Sequence, residues 1–442
     1  MANDTTLEQL YDFITLDDDG NVCDTIPEGA CSDVPRNFFL NAANGAATKL
    51  ADQLASPNLV LPWLLDALGA PRFLAGWLVP VRRSLALLPQ LAIAGRIRQF
   101  ARRKWFWAGG GAAFGLAILL MIPAALALSP LEAGIAIVLL LGVGSVARGV
   151  SSVAFKDVLA KTIPQGRRGT LLATRATVAG ALTLLAGALL QLYVAEETSL
   201  TPYVLLLGAA GLFWFVGVAF GLPVEEEAGT TGGARNALQE ARAGWSVLQT
   251  QPGWRRFIIA RALLLSVRLA IPFYVLYARD LTGGSASGLS WFVIATGLAE
   301  VLSSPFWGRF SDRSSRVVMM LGGVLALITG VGALLLGELA PSLHTAPVFA
   351  VVFLLAGFAR AGVRLGRKTY LVDSAPAEDR PLYVAFSNTI VGVITLASGA
   401  LGLIAEWLSV PALLATFLLL TALGILVAWR MPEAEEMVDA QS

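Results

Sequence analysis

Apolar residues run through this chain from Phe38 to Trp429 in about a dozen stretches, each about 20 residues long, with short polar gaps between them. The hydrocarbon core of a bilayer is about 30 Å thick, so a helix rising about 1.5 Å per residue needs about 20 apolar residues to cross it. Lipid offers no partner to backbone N–H and C=O groups, and each stretch must satisfy its own by forming a helix. The pattern therefore predicts an all-α membrane protein. Its twelve transmembrane helices are expected over residues 38–66, 73–95, 106–128, 131–153, 170–193, 200–222, 255–279, 288–307, 317–338, 346–366, 383–404 and 409–429.

The polar stretch after residue 222 divides these spans into six and six. Its GTTGG reads as a flexible linker and its NALQEARAGWSVLQ as a surface helix. The expected organisation is an acidic tail (1–36), a first six-helix half (37–222), a linker (223–253), a second half (254–430) and an acidic tail (431–442). Basic residues resist translocation, and they cluster in every second gap. These gaps carry Arg96, Arg98, Arg102, Arg103 and Lys104; then Lys156, Lys161, Arg167 and Arg168; then Arg309, Arg313 and Arg316; then Arg367, Lys368 and Arg380. The alternate gaps, SPLEAG, AEETSLTP and GELAPSLHTAP, are nearly free of them. Both termini are thus expected in the cytoplasm, with the only histidine, His344, as a solvated residue of an outer loop.

Composition narrows the class further. The chain is 56% hydrophobic and 14% charged with a mean hydropathy of +0.68, and its formal charge of +1 gives no global pull toward nucleic acid. Cys23 and Cys31 lie in the first tail without a nearby histidine, too sparse for a four-ligand metal site. The start, MANDTTLEQLYDFITLDDDG, has neither the basic nor the apolar region of a cleavable signal peptide. No GxxxxGK[ST] run appears, so neither a nucleotide cofactor nor enzymatic ATP hydrolysis is expected. The 44 glycines fall mostly within apolar runs, where they let helices approach closely.

The chain also repeats. ARGVSSVAFKDVLAKTIPQGRRGTLLATRATVAG from Ala147 aligns without a gap to ARAGVRLGRKTYLVDSAPAEDRPLYVAFSNTIVG from Ala359, a shift of 212 residues that superimposes Arg148 on Arg360, Lys156 on Lys368 and Arg168 on Arg380. A shift of 213 superimposes Gly95, Arg103, Gly109 and Gly110 on Gly308, Arg316, Gly322 and Gly323. Two parallel, pseudo-symmetric six-helix halves follow.

Such halves are the plan of the major facilitator transporters. The loop GRFSDRSSR resembles that superfamily's signature between the second and third helices of a half, with Gly308, apolar Phe310, Asp312, Arg313 and Arg316, but Ser315 where a second glycine is usual. GRIRQFARRK is a similar first-half copy that keeps Gly95, Arg103 and Lys104 and has Gln99 in place of the acidic residue. Arg148-Gly149 is similar to the family's fourth-helix arginine signature. The resemblance extends from about Phe38 to Trp429, and SPNLVLPWLLDALGAP, LVPVRRSLALLPQL and VCDTIPEGACSDVPRNFF resemble a little-characterised bacterial branch. It implies the major facilitator fold, a bacterial inner (plasma) membrane, and halves that rock around a site near midplane. It also implies a cytoplasmic gate of Gly308, Asp312, Arg313 and Arg316, which Arg148, Arg360 and Arg380 would join.

Charges within the spans carry the candidate chemistry, because an ionisable group near the bilayer centre costs about 2.5–3.5 kcal/mol on insertion scales. Arg82, Arg83, Arg268 and Glu300 all fall about 14–20 Å along their helices from the nearest cytoplasmic arginine. Lys49 and Asp52, three apart on one helix face, can neutralise one another or serve function. Arg268 and Glu300, on consecutive helices, can form a strut or line a site. Adjacent Arg82 and Arg83 diverge by about 100°, so one is expected to face the substrate and the other a neighbouring helix. Arg148, Arg360 and Arg364 are expected as gate or snorkelling residues, and Arg175 as an interfacial anchor.

Lys49, Arg82, Arg83 and Arg268 outnumber Asp52 and Glu300, which favours a small anionic solute moved by secondary active or facilitative transport, bound by Arg82, Arg83 and Arg268. Asp52 and Glu300 are the carboxylates available for proton coupling. One alternative is a proton-coupled exporter of apolar or cationic compounds, whose charge Asp52 or Glu300 would meet. Another is a non-transporting scaffold or assembly factor that binds partners through its tail and linker. The expected partners are the lipid bilayer, a small solute and a co-transported proton, for a monomer that binds no nucleic acid.

Overall fold

The computed structural model describes residues 8–12, 14, 33–88, 97, 99–164, 167–194, 200–228, 245–246, 248–283, 286–311, 314–374 and 380–439, and among these there are helices and no strand. Twelve helical units follow in chain order. The first half holds α1 in two pieces (Val34–Leu54 and Val60–Ala67), α2 (Phe73–Leu87), α3 (Lys104–Ala127), α4 (Pro130–Thr162), α5 (Arg168–Val194) and α6 (Thr201–Gly221). The second holds α7 (Pro252–Thr282, in three pieces), α8 (Ala286–Ser311), α9 (Ser315–Glu338), α10 (Ala346–Asp373), α11 (Arg380–Ala397, continued through a 3-10 turn by Gly402–Trp407) and α12 (Val410–Trp429). Cys23, Cys31, Arg96, Arg98, the GTTGG stretch and most of the expected surface helix lie outside the described residues.

Ten of these units, α3 to α12, are long and apolar enough to cross a membrane. The two exceptions have physical causes. The expected continuous span at 38–66 breaks at Ser56-Pro57-Asn58, since proline disfavours helical geometry at the residue before it. There Ser56 caps the break, its carbonyl accepting from Leu61 N at 3.0 Å and its Oγ from Asn58 N at 3.3 Å. Polar residues make α1 less apolar, and they bond within the half: Asn41 donates to Asn37 O (2.9 Å), Asn44 to Gly217 O (2.7 Å) and Thr48 to Asn44 O (2.8 Å). The described part of α2 has 15 residues, short of a bilayer crossing.

Packing repeats between the halves. Contacts α1–α6, α2–α4, α3–α4 and α3–α6 recur as α7–α12, α8–α10, α9–α10 and α9–α12. Across the interface α2 meets α11, α5 meets α8 and the second piece of α1 meets α7. Exchanging the halves maps these contacts onto themselves, as a pseudo-twofold axis along the bundle requires. Two glycines fix the register. A Cβ on Gly110 would lie 2.5 Å from Ala147 O, and one on Gly322 would lie 2.6 Å from Val363 N and 3.0 Å from Ala359 O. The packing thus pairs Gly110 with Gly322 at the 212-residue shift, so the expected pairing with Gly323 is one residue out. Consecutive glycines at 109–111 and 322–323 leave a sequence alignment nothing to choose between them.

The two ends of the bundle differ. At the end away from the start of α1 and the end of α12, the halves are tied together by Arg72–Asp280 at 2.6 Å and Arg279–Asp66 at 2.9 Å. Arg279 also donates to Trp63 O at 2.7 Å, Trp63 meets Phe292 edge-on, and Phe292 stacks on Phe353 at 4.2 Å. Gly76 and Gly402 bring α2 and α11 so close that a Cβ on Gly76 would lie 2.8 Å from Gly402 Cα. At the terminal end each half is tied to itself. The segment after α6 returns Glu226 to the start of α3, where it accepts from Arg103 N (2.8 Å), Lys104 N (2.7 Å) and Lys161 Nζ (2.8 Å). After α12, Glu433 returns in the same way to Ser314 (3.0 Å) and Arg316 (2.6 Å) at the start of α9.

Candidate functional site

Between the halves, on the terminal side of that closure, lies a cavity of about 870 Å³ lined by Lys49, Arg82, Arg83, Arg148, Arg268, Arg360 and Arg364 and by two carboxylates, Asp52 and Glu300. The lining continues toward the terminal end through Ala86, Leu87 and Ala173. Seven cations facing two anions in a space walled by apolar helices form a strongly positive site.

On the first-half wall Asp52 gathers two of the cations. Asp52 accepts from Arg82 Nη2 at 3.3 Å and from Arg148 Nη2. Both guanidinium groups also lie over aromatic rings, Arg82 over Phe114 at 4.7 Å and Arg148 over Trp214 at 4.6 Å, so their faces and their edges both have partners. Asp52 therefore belongs to Arg82 and Arg148 rather than to Lys49, because α2 and α4 bring two forks closer than the neighbour one turn away.

The second-half wall is different. Glu300 accepts from Arg360 Nη2 at 3.0 Å and, across the interface, from Gln53 Nε2 at 3.1 Å. Arg360 thus takes the place expected for Arg268 beside Glu300. Arg268 and Arg364 make no hydrogen bond or ion pair among the described residues, and the Nε of Arg268 is buried without a partner. Lys49 and Arg83, which face this wall from α1 and α2, are equally unpaired among the described residues. Adjacent Arg82 and Arg83 do diverge, but both line the cavity, one held by Asp52 and one free.

Other expected positions are placed as follows. Arg148, Arg360 and Arg364 line the cavity. Arg175 is buried, stacked over Phe155 at 4.3 Å and bonded to Asn44 Oδ1 at 3.3 Å, in room left by Gly45; it is not an interfacial anchor. Among the gate candidates, Gly308 sits on α8 with open space where a side chain would be, and Arg316 is bonded to Glu433 and to Met431 O (2.6 Å). Asp312 and Arg313 and the side chain of Arg380 lie outside the described residues. Sequence reasoning passed over Glu226 and Glu433, whose signal was an acidic run directly after the last helix of each half, VEEEA and PEAEE. His344 lies in the loop before α10, its ring hydrogen-bonded with Leu336 O at 2.9 Å.

Residues 257–441 match the family model of the Major Facilitator Superfamily. An uncharacterized protein of Mycobacterium tuberculosis (strain ATCC 25618 / H37Rv) is 28% identical over 272 residues, 60% of this chain and 52% of that protein, and a counterpart in Mycobacterium bovis matches to the same extent. The chain thus spans about half the length of the curated relatives it matches. Among solved structures, a POT family transporter in complex with 5-aminolevulinic acid is similar with a TM-score of 0.68 at 11% identity, covering 89% of this chain and 95% of that one. The nucleoside transporter NupG is similar at 0.68 and 12% (89% and 98% covered), and the inward-open xylose transporter XylE from E. coli at 0.63 and 12% (91% and 98%). The structural likeness carries the fold of these transporters through both halves, and the family match covers the second half alone, so the chain is a multi-pass membrane protein with a transporter fold whose second half is similar to the Major Facilitator Superfamily.

Proposed function

We propose that the chain moves a small anionic solute across the bacterial inner membrane by alternating access. One observation carries the reading: Lys49, Arg83, Arg268 and Arg364 converge on the cavity without a hydrogen bond or ion pair among the described residues. Cations crowded into an apolar-walled cavity repel one another, and an anionic solute would supply the counter-charge that the protein does not. A cationic or apolar export substrate would not relieve that repulsion, which makes it the weaker reading. The basic gaps lie at the terminal end, which supports a cytoplasmic orientation for that end. On that orientation the halves are locked together toward the outside and the cavity faces inward.

Two experiments test this. In proteoliposomes of the purified chain, organic anions should be taken up and should raise the melting temperature, while neutral and cationic analogues of the same size should not. Uptake of cations alone would contradict the reading. Orientation is checked with a membrane-impermeant thiol reagent, which should modify Cys23 and Cys31 only after right-side-out vesicles are permeabilised.

A further inference from the structure

Beside the central cavity, between α7 and α10, lies a cleft of about 40 Å³ lined by Arg261, Arg268, Arg360, Arg364 and Arg367, with Met319 among its apolar neighbours. Among the described residues no carboxylate lines it. The sequence builds it simply. Arg360, Arg364 and Arg367 are spaced four and three apart, so they share one face of α10, and Arg261 and Arg268 are seven apart across the short break in α7. Each helix thus turns a row of guanidinium groups toward the other.

These groups are mostly uncommitted. Glu300 pairs with Arg360 at 3.0 Å. Arg268, Arg364 and Arg367 make no hydrogen bond or ion pair among the described residues. Arg261 is 4% exposed; it donates to Ser387 Oγ and, at 2.7 Å, to Asn388 Oδ1, both neutral acceptors. Its Nε, like that of Arg268, is buried without a partner. Neutral acceptors orient a guanidinium but do not cancel its charge.

We infer that this cleft is an anion site in its own right and takes a doubly charged tetrahedral oxyanion group of the phosphate class. Its volume suits one such group and not a whole solute. Several planar donor forks with no counter-charge match a dianion with several acceptor oxygens better than they match a single carboxylate. Three of its arginines also line the cavity, so the occupant is either free inorganic phosphate or the phosphoryl end of the solute bound there; the second source rests on the anion reading above.

The test uses the purified full chain and radiolabelled inorganic phosphate. Phosphate should bind and raise the melting temperature, and sodium chloride at equal ionic strength should not reproduce the shift. Arg367 lines the cleft but not the described cavity, so Arg367→Gln should weaken phosphate binding at least tenfold, with Arg367→Lys intermediate. Removing an unmatched cation should leave the phosphate-free variant melting no lower than the wild type. Lys49→Gln, which alters the cavity and not the cleft, should weaken phosphate binding far less than Arg367→Gln does. Competition by a transported organic anion identifies its phosphoryl group as the occupant, whereas simultaneous binding identifies free phosphate; either supports the cleft. Unchanged binding in Arg367→Gln, an equal shift with chloride, or no binding overturns it. Loss in Lys49→Gln but not in Arg367→Gln moves phosphate to the cavity, so the cleft falls while the anion reading stands.

Discussion

The walls of the cavity descend from one repeated sequence, yet they have diverged in charge. Arg148 and Arg360 occupy equivalent positions on α4 and α10, and each pairs with a carboxylate of its own half, Asp52 or Glu300. Beyond them the symmetry fails. At the 212-residue shift, Ser152 and Phe155 of α4 stand opposite Arg364 and Arg367 of α10. Phe155 serves as the ring on which Arg175 rests, so at this position the first half carries an aromatic platform where the second carries a cation, although Arg175 Nε and Nη1 are themselves buried without a partner. The second-half wall leaves guanidinium groups open. A repeated frame can thus keep its fold while its two copies of a feature diverge in charge.

The largest effect is expected where the Asp52 pairing is broken. Asp52→Asn leaves Arg82 and Arg148 facing each other without a counter-charge. Removing one partner of a buried pair costs about 3–5 kcal/mol, and the 27% exposure of the Asp52 side chain places this case near about 3. A marked drop in melting temperature and folded yield should follow; an unchanged melting temperature would deny that Asp52 holds the two cations together.

On the open wall the expected change is in binding, not folding. Arg268→Gln should lower anion affinity by about ten- to a hundredfold, the worth of a charge-assisted hydrogen bond at about 1.5–3 kcal/mol. Arg268→Lys should fall between, since it keeps the charge and loses the planar fork. If Arg268→Gln mainly reduced yield, the residue would be a strut after all.

The far-end closure should respond less. Arg279→Ala removes the Asp66 ion pair and the bond to Trp63 O, and a loss of about 1.4 kcal/mol would shift the balance of open and closed states about tenfold. A thiol placed as Ser56→Cys, with Cys23 and Cys31 replaced by serine, should then label faster from that side. Arg72 and Asp280 are each 38% exposed, so Arg72→Ala should cost about 1 kcal/mol or less and change labelling least. Equal effects of the two substitutions would contradict this ordering.

Much of this architecture was legible in the sequence, because apolar length, loop charge and the repeat each leave a linear trace. Lys49, Asp52, Arg82, Arg83, Arg268 and Glu300 were legible as charges within the apolar spans, and all six line the cavity. Their pairing was not legible. Asp52 is one turn from Lys49 in sequence, but tertiary packing brings α2 and α4 nearer, and Arg148 and Arg360 read as gate residues because depth counted along one helix says nothing about which face turns inward. Glu226 and Glu433 were hidden for another reason: a polar run after a span looks like a linker until the chain is seen to fold back. The break in α1 was signalled by Pro57, whose effect the apolar pattern on both sides concealed.

The central claim, that the second-half wall holds the anion, is tested most directly by making that wall resemble its counterpart. Arg364→Ser places on α10 the residue that α4 carries at Ser152. Anion-dependent thermal stabilisation should be measured for this variant beside the wild type, with the ligand-free melting temperature as the control for folding. The account predicts a ligand-free protein at least as stable as the wild type and a loss of most of the anion-induced shift. A full anion-induced shift in a well-folded Arg364→Ser protein would contradict it.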